Sequence, residues 1–137
     1  MSDHVKEPFA FVIFGASGDL SRRKLLPGLC HLATLGYLPA NYAVVGMART
    51  PMTDDAFRDF VKDAIQEHGH REDHDAASNP QAFLPSVYYQ SGDTTQAQSF
   101  TALKARLDRL DRELGLNGNR LFYMAVGPDL EIGRAHV

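Results

Sequence analysis

The sequence predicts an α/β domain built on a doubly wound parallel sheet. Three observations carry this. Four short runs are rich in β-branched and aromatic residues, at 10–14, 42–45, 87–89 and 121–126. Amphipathic segments of crossover length separate them, and a glycine turn directly follows the first run. Parallel neighbours cannot be joined by a tight hairpin, so strands that alternate with helices point to a parallel sheet covered on both faces.

Ala10-Phe-Val-Ile-Phe14 has no polar residue and ends at Gly15, which is how a strand buried on both faces reads. From Asp19 to Leu35, apolar residues recur at Leu25, Leu29, Leu32 and Ala33, the spacing of one helix face. Pro27 has no amide to donate, so it predicts a kink or a fresh helix start with proline in the first turn. Gly36 stands where a helix C-terminus favours glycine. The second strand, Tyr42 to Val45, runs on through Gly46-Met-Ala-Arg49. Thr53 is placed to cap a helix with Asp54 and Asp55 in its first turn, where the dipole favours anions. Phe57, Phe60, Val61, Ala64 and Ile65 form its apolar face.

Residues 68–80 are polar and aperiodic, and are expected to form a loop. Val87-Tyr-Tyr89 is the third strand, and Ser91-Gly92-Asp93 turns the chain. Phe100, Leu103, Leu107, Leu110 and Leu114 mark a long helix that Gly115 and Gly118 end. Leu121 to Val126 is the fourth strand. In a sheet of order 3-2-1-4 it lies beside the first strand with one apolar edge open.

Bulk properties narrow the function. The 137 residues suit one domain or most of a larger one. A net charge of -3 gives no footprint for nucleic acid or a membrane surface, and no apolar run reaches membrane-spanning length. The N-terminus lacks the apolar core of a secretory signal. The single cysteine, Cys30, permits no internal disulfide, and a cytoplasmic location is the expectation.

The chemistry concentrates after the first strand. A dinucleotide-binding unit puts its phosphate loop there, because glycines let the backbone approach the pyrophosphate and the helix amides then bind the anion. Gly15-Ala16-Ser17-Gly18-Asp19-Leu20 holds that position, with Ser17 adding a hydroxyl donor. The usual G-x-G-x-x-G is not kept: position 17 is serine and position 20 is leucine. The alternative is an ordinary turn that uses glycine only to change direction.

The end of the second strand is the other informative place. A carboxylate there accepts from a ribose 2′-hydroxyl, whereas arginine pairs with a 2′-phosphate. Here the strand ends on Arg49, and no Asp or Glu stands between Asp19 and Asp54 to compete for the role. Gly46 is expected to leave room for the adenosine. Together with the glycine turn, Arg49 favours NADP over NAD, although a surface arginine that follows a strand by chance would look the same.

The string Phe11-Val-Ile-Phe-Gly-Ala-Ser-Gly-Asp-Leu-Ser-Arg-Arg-Lys-Leu-Leu-Pro27 closely resembles the opening motif of the glucose-6-phosphate dehydrogenases. Leu35-Gly-Tyr-Leu-Pro39, Val44-Val-Gly-Met-Ala-Arg49 and Asn119-Arg-Leu-Phe-Tyr-Met-Ala-Val126 follow in the family's order. The resemblance implies a Rossmann-like coenzyme domain. It belongs to a cytoplasmic, homo-oligomeric enzyme that oxidises glucose 6-phosphate to 6-phosphogluconolactone with NADP, the opening step of the oxidative pentose phosphate pathway. By resemblance Gly15, Ala16, Ser17, Gly18, Asp19 and Leu20 form the coenzyme loop, and Arg49 holds the 2′-phosphate. Lys24 matches a lysine near the junction of coenzyme and substrate, although within Arg22-Arg23-Lys24 it also reads as a solvated basic patch.

The family's substrate-phosphate motif and histidine base find no match here, so no catalytic residue is assigned. A free-standing nucleotide-binding module without turnover is the alternative function. His68, His70 and His74 suggest metal spacing, but in so polar a segment a solvated loop is the better reading, and no metal is expected. The resemblance stops at Asp129-Leu130. Residues 131–137 read like translated sequencing adapter, so the domain is taken as 1–130 with a non-native tail.

Overall fold

A computed structural model describes residues 7–68 and 80–125. Four strands, β1 (Phe9–Phe14), β2 (Tyr42–Ala48), β3 (Val87–Ser91) and β4 (Arg120–Met124), form one sheet of order β3-β2-β1-β4. Every pairing is parallel, with Phe9 opposite Tyr42, Ala10 opposite Arg120 and Val44 opposite Val87 at the start of the three registers. Among the described residues the helices are α1 (Leu26–Thr34), α2 (Asp54–His68), the single turn α3 (Pro80–Phe83) and α4 (Ala97–Leu114).

The doubly wound prediction holds because side chains alternate across each strand. Ile13 and Val44 face a layer made by Leu26, Leu29 and Cys30 of α1 with Phe57, Val61 and Ile65 of α2. Ala10, Val12, Phe14, Val45 and Met47 face Leu103, Leu107 and Leu110 of α4 on the other side. Both layers are apolar, which is why β1 and β2 read as continuous apolar runs.

The predicted punctuation is in place. Thr53 Oγ1 accepts from the Ala56 amide at 3.0 Å and caps α2. Pro27 sits in the first turn of α1, and Gly36 ends that helix at φ 84°. There the Tyr37 amide donates to Leu32 O at 3.0 Å and the Gly36 amide to Ala33 O at 3.1 Å, the two bonds of a Schellman cap. Gly115 ends α4 in the left-handed region at φ 69°.

Three expectations are corrected. The break expected at Pro27 takes the form of a π-helical turn, Ser21–Leu25, ahead of α1, and it changes which residues are buried. The buried set then becomes Leu26, Leu29 and Cys30 with Ala33 half-buried, which leaves Leu32 41% exposed instead of in the core. Phe100, at the start of α4, is exposed on one side and lays its ring against Phe14, centroids 5.9 Å apart. Residues 68–80 are not all loop, since His68 closes α2 and Pro80 opens α3. Residues 69–79, with His70 and His74, lie outside the described residues, as do Val126 and the tail 131–137.

β4 ends the sheet beside β1, with Leu121, Phe122 and Tyr123 exposed. The β3 edge is different. Arg58 and Arg106 lie over the Tyr88 ring, 5.3 and 5.5 Å from its centroid, so long cations cover that strand. Among the described residues no helix is long and apolar enough to cross a membrane.

Candidate functional site

The carboxyl ends of the strands meet at one cavity of about 390 Å³. In an open parallel sheet this is where the loops diverge and leave a crevice. Phe14, Gly15, Ser17 and Gly18 line it from the β1 exit, Met47 to Thr50 from β2, Gly92 to Thr95 from β3, and Ala125 from β4.

The glycine turn is locked from within. Gly15 adopts φ 80°, a conformation that a side chain would strain. The Gly15 and Ala16 amides both donate to Met47 O, at 2.8 and 3.2 Å, and tie the turn to the end of β2. The Gly18 amide donates back to Gly15 O at 3.0 Å, and Gly18 O accepts the first helical bond, from Arg22 at 3.1 Å. These bonds occupy three of the loop's amides. The donors a bound anion would use are therefore the Ser17 hydroxyl and the amides of the helix's first turn, which have no acceptor inside a helix.

The expected site residues divide accordingly. Gly15, Ser17, Gly18 and Arg49 come together around the cavity. Ala16 does not line it; its side chain is fully buried in the layer beneath. Asp19 is exposed and pairs with Arg23 Nε at 3.3 Å. Leu20 and Lys24 are exposed and stand off the cavity wall. Arg22 pairs with Glu67 of α2, so carboxylates already engage both arginines of the basic patch.

Gly46 has a different reason from the one expected. A Cβ there would stand 2.6 Å from Phe57 Cζ and 2.7 Å from Ala16 Cβ. The missing side chain makes room for the core and the loop, not for an adenosine.

Sequence reasoning missed the β3 exit. Asp93 brings a carboxylate into the same cavity as Arg49, although 44 residues separate them, because β3 pairs with β2. The expectation that no carboxylate competes near Arg49 is therefore corrected. Asp93 Oδ1 accepts from the Thr95 amide at 2.9 Å and from its hydroxyl at 2.8 Å. Those bonds, with the Arg49 charge behind them, hold its pKa below the ordinary aspartate value, so it is ionised at neutral pH. The Gly92 amide ties the loop to Ala48 O at 2.8 Å, and the Asp93 amide ties it to Ser99 Oγ at 2.8 Å. The Ser-Gly-Asp turn was visible as a turn; nothing local marked it as a wall of the site.

The chain is similar in sequence and fold to known proteins. The sequence model for the NAD binding domain of glucose-6-phosphate dehydrogenase matches residues 12–132. A glucose-6-phosphate 1-dehydrogenase of Chlamydia muridarum is 36% identical over 122 residues, 89% of this chain and 24% of the relative. One from Leuconostoc mesenteroides is 36% identical over 115 residues, 84% of this chain and 23% of the relative. A solved glucose-6-phosphate dehydrogenase in complex with glucose 6-phosphate superposes with a TM-score of 0.76 at 30% identity, covering 96% of this chain and 27% of that one. The enzyme from Mycobacterium avium gives 0.69 at 25% identity, covering 92% and 25%. The chain thus spans about a quarter of the length of the curated relatives it matches. It belongs to the glucose-6-phosphate dehydrogenase family and corresponds to that family's nicotinamide coenzyme-binding domain.

Proposed function

We propose that this domain binds NADP. The protein it serves then oxidises glucose 6-phosphate to 6-phosphogluconolactone, as a cytoplasmic homo-oligomer at the head of the oxidative pentose phosphate pathway. The observation that carries the reading is Arg49 at the β2 exit, in one cavity with Gly15, Ser17 and Gly18. The donor set suits the coenzyme's charges. Ser17 and the first helix amides answer the pyrophosphate, and a planar guanidinium answers the 2′-phosphate. The coenzyme, when bound, supplies the hydride acceptor. Asp19, Leu20 and Lys24 complete the proposed set, Lys24 by its match to a lysine near the junction of coenzyme and substrate.

Asp93 favours a second reading, in which NAD is also used, because a carboxylate is the group that accepts from a ribose 2′-hydroxyl. Calorimetric titration of the chain with NADP and with NAD decides between them. The expected result is NADP tighter by roughly tenfold or more, the value of one charge-assisted contact. Equal affinities would favour the Asp93 reading, and no binding of either would remove both.

The chain by itself is expected to form no NADPH from NADP and glucose 6-phosphate. Taking a proton from a sugar hydroxyl requires a base poised near the working pH. Among the described residues no histidine lines the cavity, and Asp93 is held as a weak base by Thr95 and Arg49. Absorbance at the NADPH band, rising with substrate above a protein-free blank, would overturn this.

A further inference from the structure

We infer that Tyr89 is a positioning residue for the turn that carries Arg49, and so sets how strongly the cavity selects a 2′-phosphate; the inference rests on the coenzyme reading above. Tyr89 lies in β3, beside β2. Its ring is buried against Phe57, centroids 4.9 Å apart. The hydroxyl reaches across to the β2 exit and donates to Ala48 O at 3.1 Å and to Thr50 O at 2.5 Å. These carbonyls belong to the residues on either side of Arg49. One phenolic proton, shared between them, thus pins the backbone before and after the arginine.

Tyr89 is itself held from both faces of the sheet. Its amide donates to Asp54 Oδ1 of α2 at 2.8 Å, and its carbonyl accepts from Arg106 Nη1 of α4 at 3.3 Å. Arg106 Nη2 closes the ring on Asp54 Oδ2 at 2.6 Å. Burial pushes the phenol pKa above its ordinary value, so the hydroxyl keeps its proton and remains a donor throughout the neutral range.

The consequence is geometric. Arg49 is exposed, so core packing does little to aim its side chain. The backbone at residues 48–50 decides where the guanidinium fork stands, and a bidentate partner tolerates little error in that place. A hydroxyl that fixes this backbone therefore acts on 2′-phosphate recognition through Arg49. A tyrosine that served only the core would change the binding of every ligand alike.

The test uses the full chain and two probes that differ only in the 2′-phosphate: adenosine 2′,5′-bisphosphate and 5′-AMP. Tyr89→Phe keeps the ring and deletes the hydroxyl. It is expected to lower the ratio of the two affinities roughly 3- to 10-fold, the effect of one hydrogen bond, with 5′-AMP binding unchanged. In an Arg49→Ala background the same substitution should leave the ratio where it was, since the coupling runs through Arg49. Hydrogen exchange at the Arg49 and Thr50 amides should quicken in Tyr89→Phe while the amides of β1 keep their protection. An unchanged ratio, equal losses for both probes, or the same drop without Arg49 overturns the inference and leaves the coenzyme reading intact. A wild-type chain that binds both probes equally overturns the 2′-phosphate reading, and this inference with it.

Discussion

Arg49→Ala is expected to weaken NADP binding roughly 10- to 100-fold while NAD binding stays nearly untouched. The reasoning starts from the end of β2, where the backbone leaves the sheet and Arg49 joins the wall of the cavity. A hydrogen bond between charged groups contributes about 1.5–3 kcal/mol, and that range sets the fold-change. Arg49→Lys should lose less, because the charge remains. It should still lose measurably, because an ammonium cannot form the two parallel bonds of a guanidinium. Added salt should shrink the wild-type advantage of NADP, since an exposed pair is screened. Asp93 sharpens the contrast. With Arg49 gone, its carboxylate is left in the cavity without that cation, where it would repel a phosphate and could accept from a hydroxyl. Titration calorimetry on both coenzymes measures this. Equal losses for the two would mean that Arg49 supports the fold, and no loss for either would mean that it is a surface residue.

The parts legible in the sequence were those whose cause is local. A strand buried on both faces is a run without polar residues, so β1 and β2 announced themselves. The period of α2 and α4 placed their buried faces, apart from Phe100 at the very start of α4. The glycine turn and Arg49 were visible because each stands next in chain to its strand. The parts that failed have distant causes or leave too little local signal. Asp93 enters the site only because β3 pairs with β2. Leu32 turned outward because the helix that follows the π-helical turn buries Leu26, Leu29 and Cys30, and no local residue marks that turn. Pro80–Phe83 is a single turn, too short to show a period. Tyr89 read as one more aromatic in a strand; its hydroxyl acquires partners only when β2 ends beside it.

Gly46→Ala is expected to destabilise the domain by about 1–3 kcal/mol, the usual cost of overpacking a core, and to lower Tm by about 4–12 °C. Glycine in a central strand is a poor choice on propensity, so the space it vacates must matter. The new Cβ would stand 2.6 Å from Phe57 Cζ, 2.7 Å from Ala16 Cβ and 2.8 Å from Phe57 Cε2, all nearer than real methyl contacts come. Phe57 is fully buried in the layer of α1 and α2, with its ring against Phe60 and Tyr89, so it has little room to retreat. Ala16 cannot yield by rotating a side chain; it moves only if the glycine turn moves. Gly28→Ala is the opposing control. It lies exposed in α1 with nothing within 4 Å of its Cβ, and should stabilise by about 0.4–1 kcal/mol. Adding Phe57→Leu to Gly46→Ala removes the ring tip that the methyl meets. Chemical denaturation followed by circular dichroism should then recover part of the lost stability. Coenzyme affinity should stay low in the double variant, because the contact with Ala16 still displaces the loop. Full recovery of both would place the whole clash at Phe57, and no loss from Gly46→Ala alone would show that the strand and loop can part without cost.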